Sequence, residues 1–115
     1  MGNKLEYSFD DEPVDKFSYD IKEKRIEVYF SDYFDEIKNR YFEIPCVFII
    51  ESWSDAKSKI GDDPKCYDLD KHMGIFSMIL YMKYNDVEEL EMLINTIDNR
   101  YITLLFTKPQ ISLNK

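Results

Sequence analysis

The chain is 115 residues long, with 44% hydrophobic residues, 23 acidic and 15 basic side chains, and a net charge of −8. This composition excludes intrinsic disorder, because the hydrophobic content is sufficient for a core, and the length indicates a single domain over residues 1–115. The acidic balance disfavours direct binding to nucleic acid, since phosphates require a basic surface.

Alternation of apolar and polar side chains dominates the first third of the chain. Residues 1–15 are polar and irregular, with room for a short edge strand only around Tyr7 and Phe9. Residues 17–21 and 26–30 alternate with the period of half-buried strands, and the polar gap between them predicts a β-hairpin. Segment 31–40 interrupts this pattern with acids and aromatics, and we interpret it as a loop or wide turn.

The strongest strand signal of the chain runs from Tyr41 to Trp53, where apolar residues occupy both faces. Pro45 cannot donate a hydrogen bond to a neighbouring strand, so it indicates an edge position or a bulge. After this strand, Ser54 has the character of a helix N-cap and Gly61 that of a helix stop. The sequence therefore predicts a short helix at about 55–60.

The last third is predicted to contain a strand, a helix and a second strand. A polar linker at 61–73 precedes a β-rich apolar run at 75–84, and a final strand is expected at 101–107. Between these strands we expect the main helix, at about 86–98. Its apolar residues recur at three- and four-residue spacing, as on one face of a helix: Val87, Leu90, Leu93, Ile94 and Ile97.

These elements predict an α+β fold. It would consist of a mixed, mainly antiparallel sheet of four to six strands with one main helix (about 86–98) and one short helix (about 55–60). The strand–helix–strand order over 75–107 further suggests a right-handed crossover, which would make its two strands parallel.

Four residues with metal-ligand chemistry follow one another at alternate positions: Cys66, Asp68, Asp70 and His72. In an extended strand such residues are spaced about 7 Å apart, so they cannot close around one ion without a sharp bend. The sequence contains no glycine-rich phosphate loop and no EF-hand spacing. It therefore predicts no enzyme, no cofactor and no metal. A small metal-dependent enzyme or regulator using these four residues is the alternative.

The two cysteines, Cys46 and Cys66, are too few for a disulfide framework, so we expect reduced thiols, with Cys46 in the core. An apolar stretch of membrane-spanning length and a charged-then-apolar leader are both missing from the sequence. These features predict a cytoplasmic protein that does not bind membranes.

The acidic residues are unevenly distributed, since residues 1–36 hold eleven acids and five bases. Negative patches suit a cationic partner, because complementary charge accelerates encounter, and aromatics beside carboxylates commonly anchor interfaces. We therefore predict binding to a basic protein partner. The predicted partner-binding residues are Asp10, Asp11, Glu12, Asp32, Tyr33, Asp35, Glu36, Trp53, Asp62, Asp63, Asp68 and Asp70.

The segments FSYDIKEKRIEVYF, SDYFDE and YFEIPCVFIIESWSDAKSKI together resemble small acidic immunity proteins of bacterial polymorphic toxin and contact-dependent inhibition systems. The resemblance covers residues 17–60 and lies in size, charge and strand texture, so it transfers no functional residue. It implies a cytosolic antidote that binds the basic catalytic domain of a toxin, often a nuclease. An adaptor subunit of a larger assembly is a third interpretation.

Overall fold

A computed structural model describes residues 5–10 and 12–114 of the chain. The described part of the protein is almost entirely β-sheet, with 58% of the described residues in strands and 4% in helix, arranged in three sheets. The predicted α+β fold is therefore wrong. The paired strands of the described residues are all antiparallel, so the predicted parallel crossover over 75–107 is also wrong.

The described residues form thirteen strands and one helical turn, α1 (Leu69–His72). No helix within this part of the chain is long and apolar enough to cross a membrane. In chain order the strands are β1 (Tyr7–Ser8), β2 (Glu12–Pro13), β3 (Lys16–Asp20), β4 (Arg25–Phe30), β5 (Tyr33–Asp35), β6 (Arg40–Phe42), β7 (Cys46–Glu51), β8 (Asp55–Ile60), β9 (Tyr67–Asp68), β10 (Phe76–Tyr84), β11 (Leu90–Thr96), β12 (Tyr101–Thr107) and β13 (Gln110–Asn114).

Three sheets organise these strands. The largest has the order β2-β10-β11-β12-β8-β9, the second has the order β13-β7-β4-β3, and a small sheet has the order β1-β5-β6. Because strands of the large and second sheets contribute to one buried cluster, the two sheets pack as layers of a sandwich.

The core consists of the side chains that point inward at alternate positions of both large sheets. Burial of these apolar groups is the main source of stability for such a sandwich. The central members are Ile26, Val28, Phe30, Phe48, Ile50, Leu90, Met92, Ile94, Ile102, Leu104 and Phe106, all at most 2% exposed.

The segment predicted as the main helix, 86–98, contains a turn and strand β11 instead. Residues 90–96 alternate strictly between buried and half-buried positions, which is the period of a strand. Leu90 and Ile94 satisfy both the helical and the strand period, so local spacing does not decide between them. Pairing with β10 on one side and β12 on the other supplies the backbone hydrogen bonds and decides for the strand.

The short helix predicted at 55–60 is also wrong, since these residues form β8. Ala56, Ser58 and Ile60 alternate with charged residues, and β8 pairs with β12 along its whole length. Ser58 is fully buried, and its hydroxyl donates to the backbone carbonyl oxygen of Asp68 at 2.8 Å. This bond satisfies a polar group that would otherwise be costly to bury.

Other strand predictions are confirmed in position. Residues 17–30 form the β3–β4 hairpin. The expected strand at 41–53 is divided into β6 and β7, with Pro45 in the gap between them. The segment 31–40, interpreted as a loop, instead contains β5 and the turn leading to β6.

The β10–β11 turn depends on Asn85. Its side-chain oxygen accepts hydrogen bonds from the backbone N–H groups of Val87 at 3.1 Å and Glu89 at 2.9 Å. We expect Asn85→Ala to lower the free energy of unfolding by about 1 kcal/mol, because these donors lose their acceptor. Urea denaturation measures this change. Asp86→Ala, on an exposed residue of the same turn, is the control, and an equal loss in both variants would contradict this role of Asn85.

Candidate partner-binding surface

Strand pairing places two of the acidic segments side by side. β1 pairs with β5, and Tyr7 lies opposite Asp35. Beyond the last pair, the backbone N–H of Glu36 donates to the carbonyl oxygen of Glu6 at 2.8 Å. The acidic N-terminal segment and the segment 31–36 therefore share one region of the surface, although they are well separated in the sequence.

Glu12 and Asp32 form a hydrogen-bonded carboxyl pair in this region. The hydrogen bond to Asp32 raises the pKa of Glu12 from 4.5 to about 7, and burial and the negative charge of Asp32 act in the same direction. Two carboxylates at close range repel each other, and one shared proton relieves this repulsion. The pair therefore keeps a proton at pH values where ordinary carboxyl groups have lost theirs.

Four of the predicted residues thus lie in or beside the region where β1 and β5 pair. Asp10 and Glu36 are exposed, and Glu12 and Asp32 are half-buried. We call these four residues the acidic rim. Asp11, which was predicted with them, lies outside the described residues.

The carboxylate of Asp35 has a structural role in the turn that follows β5. It is 6% exposed, and one of its carboxylate oxygens accepts hydrogen bonds from the backbone N–H groups of Ile37 and Lys38, each at 2.9 Å. These bonds hold the turn between β5 and β6, which an Asp at this position does well. Its oxygen therefore serves the turn rather than the surface.

The two aromatic residues predicted as docking anchors are buried in the core. Tyr33 is 1% exposed, and its ring stacks on Phe42 at a centroid distance of 5.4 Å. Trp53 is 6% exposed and packs at 5.0 Å from the ring of Phe106. Neither ring offers surface to a partner in this conformation, because each fills space between packed side chains.

Three of the eight large apolar residues that are exposed in the described part of the chain lie on the β5–β6 hairpin or just after it. Ile37 is 72% exposed, Tyr41 is 61% exposed and Ile44 is 40% exposed. The ring of the half-buried Phe34 meets that of Tyr41 edge to face, with centroids 5.1 Å apart. We call these four residues the hairpin patch. A group of exposed apolar side chains bordered by charge is typical of an interaction site.

The two cations of the hairpin lie away from this patch. Lys38 and Arg40 lie over the ring of Phe42, at 5.4 and 4.5 Å from its centroid. Phe42 pairs with the buried Tyr33, so it belongs to the inward row of the hairpin, opposite the row of Phe34. These contacts hold the positive charges on the side of the hairpin that does not carry the patch.

The remaining predicted acids belong to another part of the molecule. Asp68 lies in β9, at the opposite edge of the six-stranded sheet from β2, which holds Glu12. Five strand spacings separate these edges, about 24 Å. Asp62 is exposed, and Asp63 accepts a hydrogen bond from the backbone N–H of Lys65 at 2.9 Å. The predicted partner-binding acids that the structure describes therefore lie in two separate regions.

The residues of the alternative metal site contact different neighbours instead of one another. Asp70 accepts a hydrogen bond from the Tyr19 hydroxyl at 2.5 Å, and the ring of His72 meets Tyr67 edge-on at 5.2 Å. Cys66 is exposed. Within 5–10 and 12–114 no three His, Cys, Asp or Glu residues are placed so that they could hold a metal ion. Helix α1 bends the chain at this point, but it does not bring the four side chains together around one position.

The exposed residues Ile37, Tyr41 and Ile44 were not among the predicted site residues. A signal for them exists in the sequence: Tyr33-Phe34 and Tyr41-Phe42 are two aromatic pairs separated by a polar segment. Two short aromatic runs around polar residues are typical of a hairpin. Of each pair, one aromatic residue must face outward.

No protein-family model matches the chain, and neither a curated protein nor a solved structure is significantly similar to it.

The Glu12–Asp32 pair makes a prediction for the pH dependence of stability. Because the folded-state pKa of Glu12 is raised, its contribution to stability is fully present below pH 4.5 and is lost as the pH rises through about 7. We expect Glu12→Gln to reduce the loss of unfolding free energy across this window by an amount on the order of 1 kcal/mol, since water screens these partly exposed groups.

Urea denaturation of both proteins across the window from pH 4.5 to about 7 measures this difference. Glu23→Gln, which removes an exposed carboxyl group from the β3–β4 turn, is the control and should leave the wild-type pH dependence in place. Identical pH profiles for wild type and Glu12→Gln would show that the pair does not hold the proton.

Proposed function

We propose that this protein is a non-enzymatic binding protein that docks a basic protein partner on the hairpin patch and the acidic rim. The observation that carries this proposal is the exposed apolar group at Ile37 and Tyr41, which lies next to Glu36 and the rest of the rim. Desolvated apolar centres with polar margins are the common anatomy of protein interfaces.

The two parts of this surface have different physical roles. Carboxylates of the rim attract a cationic partner over distances of about 8–10 Å at physiological ionic strength, and so raise the association rate. Aromatic and aliphatic side chains of the patch lose their water on contact and slow dissociation. Because Tyr33 and Trp53 are buried, Phe34 and Tyr41 replace them as the aromatic anchors of the proposal.

We further propose that the protein is an immunity protein that acts in the cytoplasm against a bacterial toxin domain. The resemblance of residues 17–60 to such proteins and the net charge of −8 support this proposal. A nuclease needs a basic surface to hold phosphates, and an acidic protein that occupies this surface excludes the substrate. The basic partner is then the catalytic domain itself.

The acidic rim can be tested by charge reversal. We expect Asp10→Lys with Glu36→Lys to lower the association rate with the partner about tenfold or more at low salt, and much less at high salt. The partner is captured with the tagged protein from the cytosol of the native host, purified, and measured by surface plasmon resonance.

The matched control for charge reversal is Asp62→Lys with Asp68→Lys, which changes two exposed acids in the other acidic region by the same charge. The control should bind like the wild type. Equal losses in both double variants would indicate a general effect of net charge, and normal binding of the rim variant would place the interface elsewhere.

The hairpin patch makes a separate kinetic prediction. We expect Tyr41→Ala to raise the dissociation rate of the same partner about tenfold or more while changing the association rate little, because it removes apolar contact area but no charge. Tyr101→Ala is the control, since Tyr101 is 51% exposed on the large sheet. Unchanged dissociation of Tyr41→Ala would remove the patch from the proposed interface.

The immunity role requires more than binding. Expressed alone, the captured partner should stop bacterial growth, and co-expression of the wild-type protein, but not of the rim variant, should restore it. A partner that is harmless on its own would contradict the immunity role and leave only the binding role.

A further inference from the structure

The last strand of the chain forms an edge of the four-stranded sheet. Within the described residues β13 pairs with β7 on one side and with no strand on the other. Edge strands present backbone groups without strand partners, and proteins usually protect them with charges, prolines, bulges or a covering segment. The five residues of β13 are Gln110, Ile111, Ser112, Leu113 and Asn114, and none is charged, although 33% of the whole chain is charged.

The opposite edge of this sheet differs in this respect. Strand β3 begins with Lys16 and ends with Asp20, and both side chains are exposed. Its Phe17 ring also stacks on Phe76 of the large sheet at 4.3 Å, which closes that side of the sandwich. Charged side chains therefore protect the β3 edge, whereas β13 carries none within the strand itself and is preceded by Lys108 and Pro109.

A cleft of about 430 Å³ runs beside β13. Residues 111–113 of β13 and residues 5–7 line this cleft together with Phe48 and Tyr84. Phe48 is 2% exposed and belongs to the core, so the cleft reaches down to the apolar interior. Of the described residues that line it, Glu6 is the one with a carboxylate, and no Lys or Arg lines it.

We infer that β13 and this cleft accept an extended peptide segment of another protein by strand addition. The segment pairs its backbone with β13, places apolar side chains in the cleft at alternate positions, and sets a basic side chain beside Glu6. In this mode of recognition the backbone hydrogen bonds provide affinity and the side-chain pockets provide selectivity.

The charge of the cleft lining favours a segment with a basic side chain over a second copy of this chain. The β13 strand of a second copy has no charged residue to place beside the carboxylate of Glu6, whereas a basic side chain of another protein can pair with it. The inference does not depend on the proposed function, because a peptide can add to β13 whatever the hairpin patch binds.

The test uses synthetic octapeptides and the full-length protein. One fluorescent peptide alternates Val and Thr around a central Lys, and its partner has Glu in place of Lys. Two further Lys peptides carry N-methyl groups on either the odd or the even backbone amides. Only one set of amides of an added strand faces β13, so we expect one methylated peptide to bind about tenfold or more weakly and the other to bind nearly as the parent does.

Charge selectivity and location are tested in the same assay. We expect Glu6→Lys to reverse the preference from the Lys to the Glu peptide by about tenfold overall, while Glu23→Lys, an equal charge change on the β3–β4 turn, leaves it unchanged. Hydrogen exchange should show slower exchange of amides within residues 110–114 when the Lys peptide is bound.

Three results would overturn the inference. The first is that no peptide binds at roughly 1 mM, the weak limit of specific recognition. The second is that both methylated peptides bind equally, which would indicate apolar adhesion without strand pairing. The third is that the protein is a dimer that Ser112→Lys dissociates, which would assign the edge to a second copy.

Discussion

The ring of Phe9 stacks on Phe30 at 4.4 Å, lies 5.1 Å from Phe48, and is fully buried. Phe9 stands between β1 and β2, so its burial attaches both short strands to the sandwich. Through β1 it also fixes β5 and β6, which pair only within the small sheet. Two-residue strands are marginal by themselves, and the buried aromatic ring provides the stability that their few hydrogen bonds lack.

The hairpins of this protein are built with few glycines. The chain has three, and most turn positions with positive φ are occupied by other residues. Asn39 and Asn99 adopt φ values of 56° and 63°, which Asn tolerates better than most residues, whereas Glu88 has a φ of 62°. At this last turn, the hydrogen bonds to Asn85 offset the unfavourable backbone conformation. At this turn, side-chain hydrogen bonds therefore compensate for a backbone conformation that glycine would adopt without strain.

The role of each acidic residue depends on its position in the fold. The carboxylates predicted as one class have different tasks, since Asp35 holds a turn, Asp70 binds a tyrosine hydroxyl, and Glu12 shares a proton with Asp32. Only acids that keep their oxygens toward solvent can attract a partner. A proton held at the Glu12–Asp32 pair also reduces the negative charge of the rim near neutral pH, so in the proposed function arrival of a cationic partner and release of this proton would favour each other.

The sequence by itself determined the strands at 17–30, from their period of two, and those within 41–53 and at 75–84 and 101–107, from their β-rich apolar runs, together with the excess of acids. It did not determine the secondary structure of residues 90–96, where apolar residues satisfy both the helical and the strand period. The choice between helix and strand depends there on pairing with the strands on either side. Nor did it determine which acids meet, since strand order is a property of long-range pairing. Only the tertiary structure buried Tyr33 while exposing Tyr41, because which of two adjacent aromatics faces the core depends on the register with the partner strand.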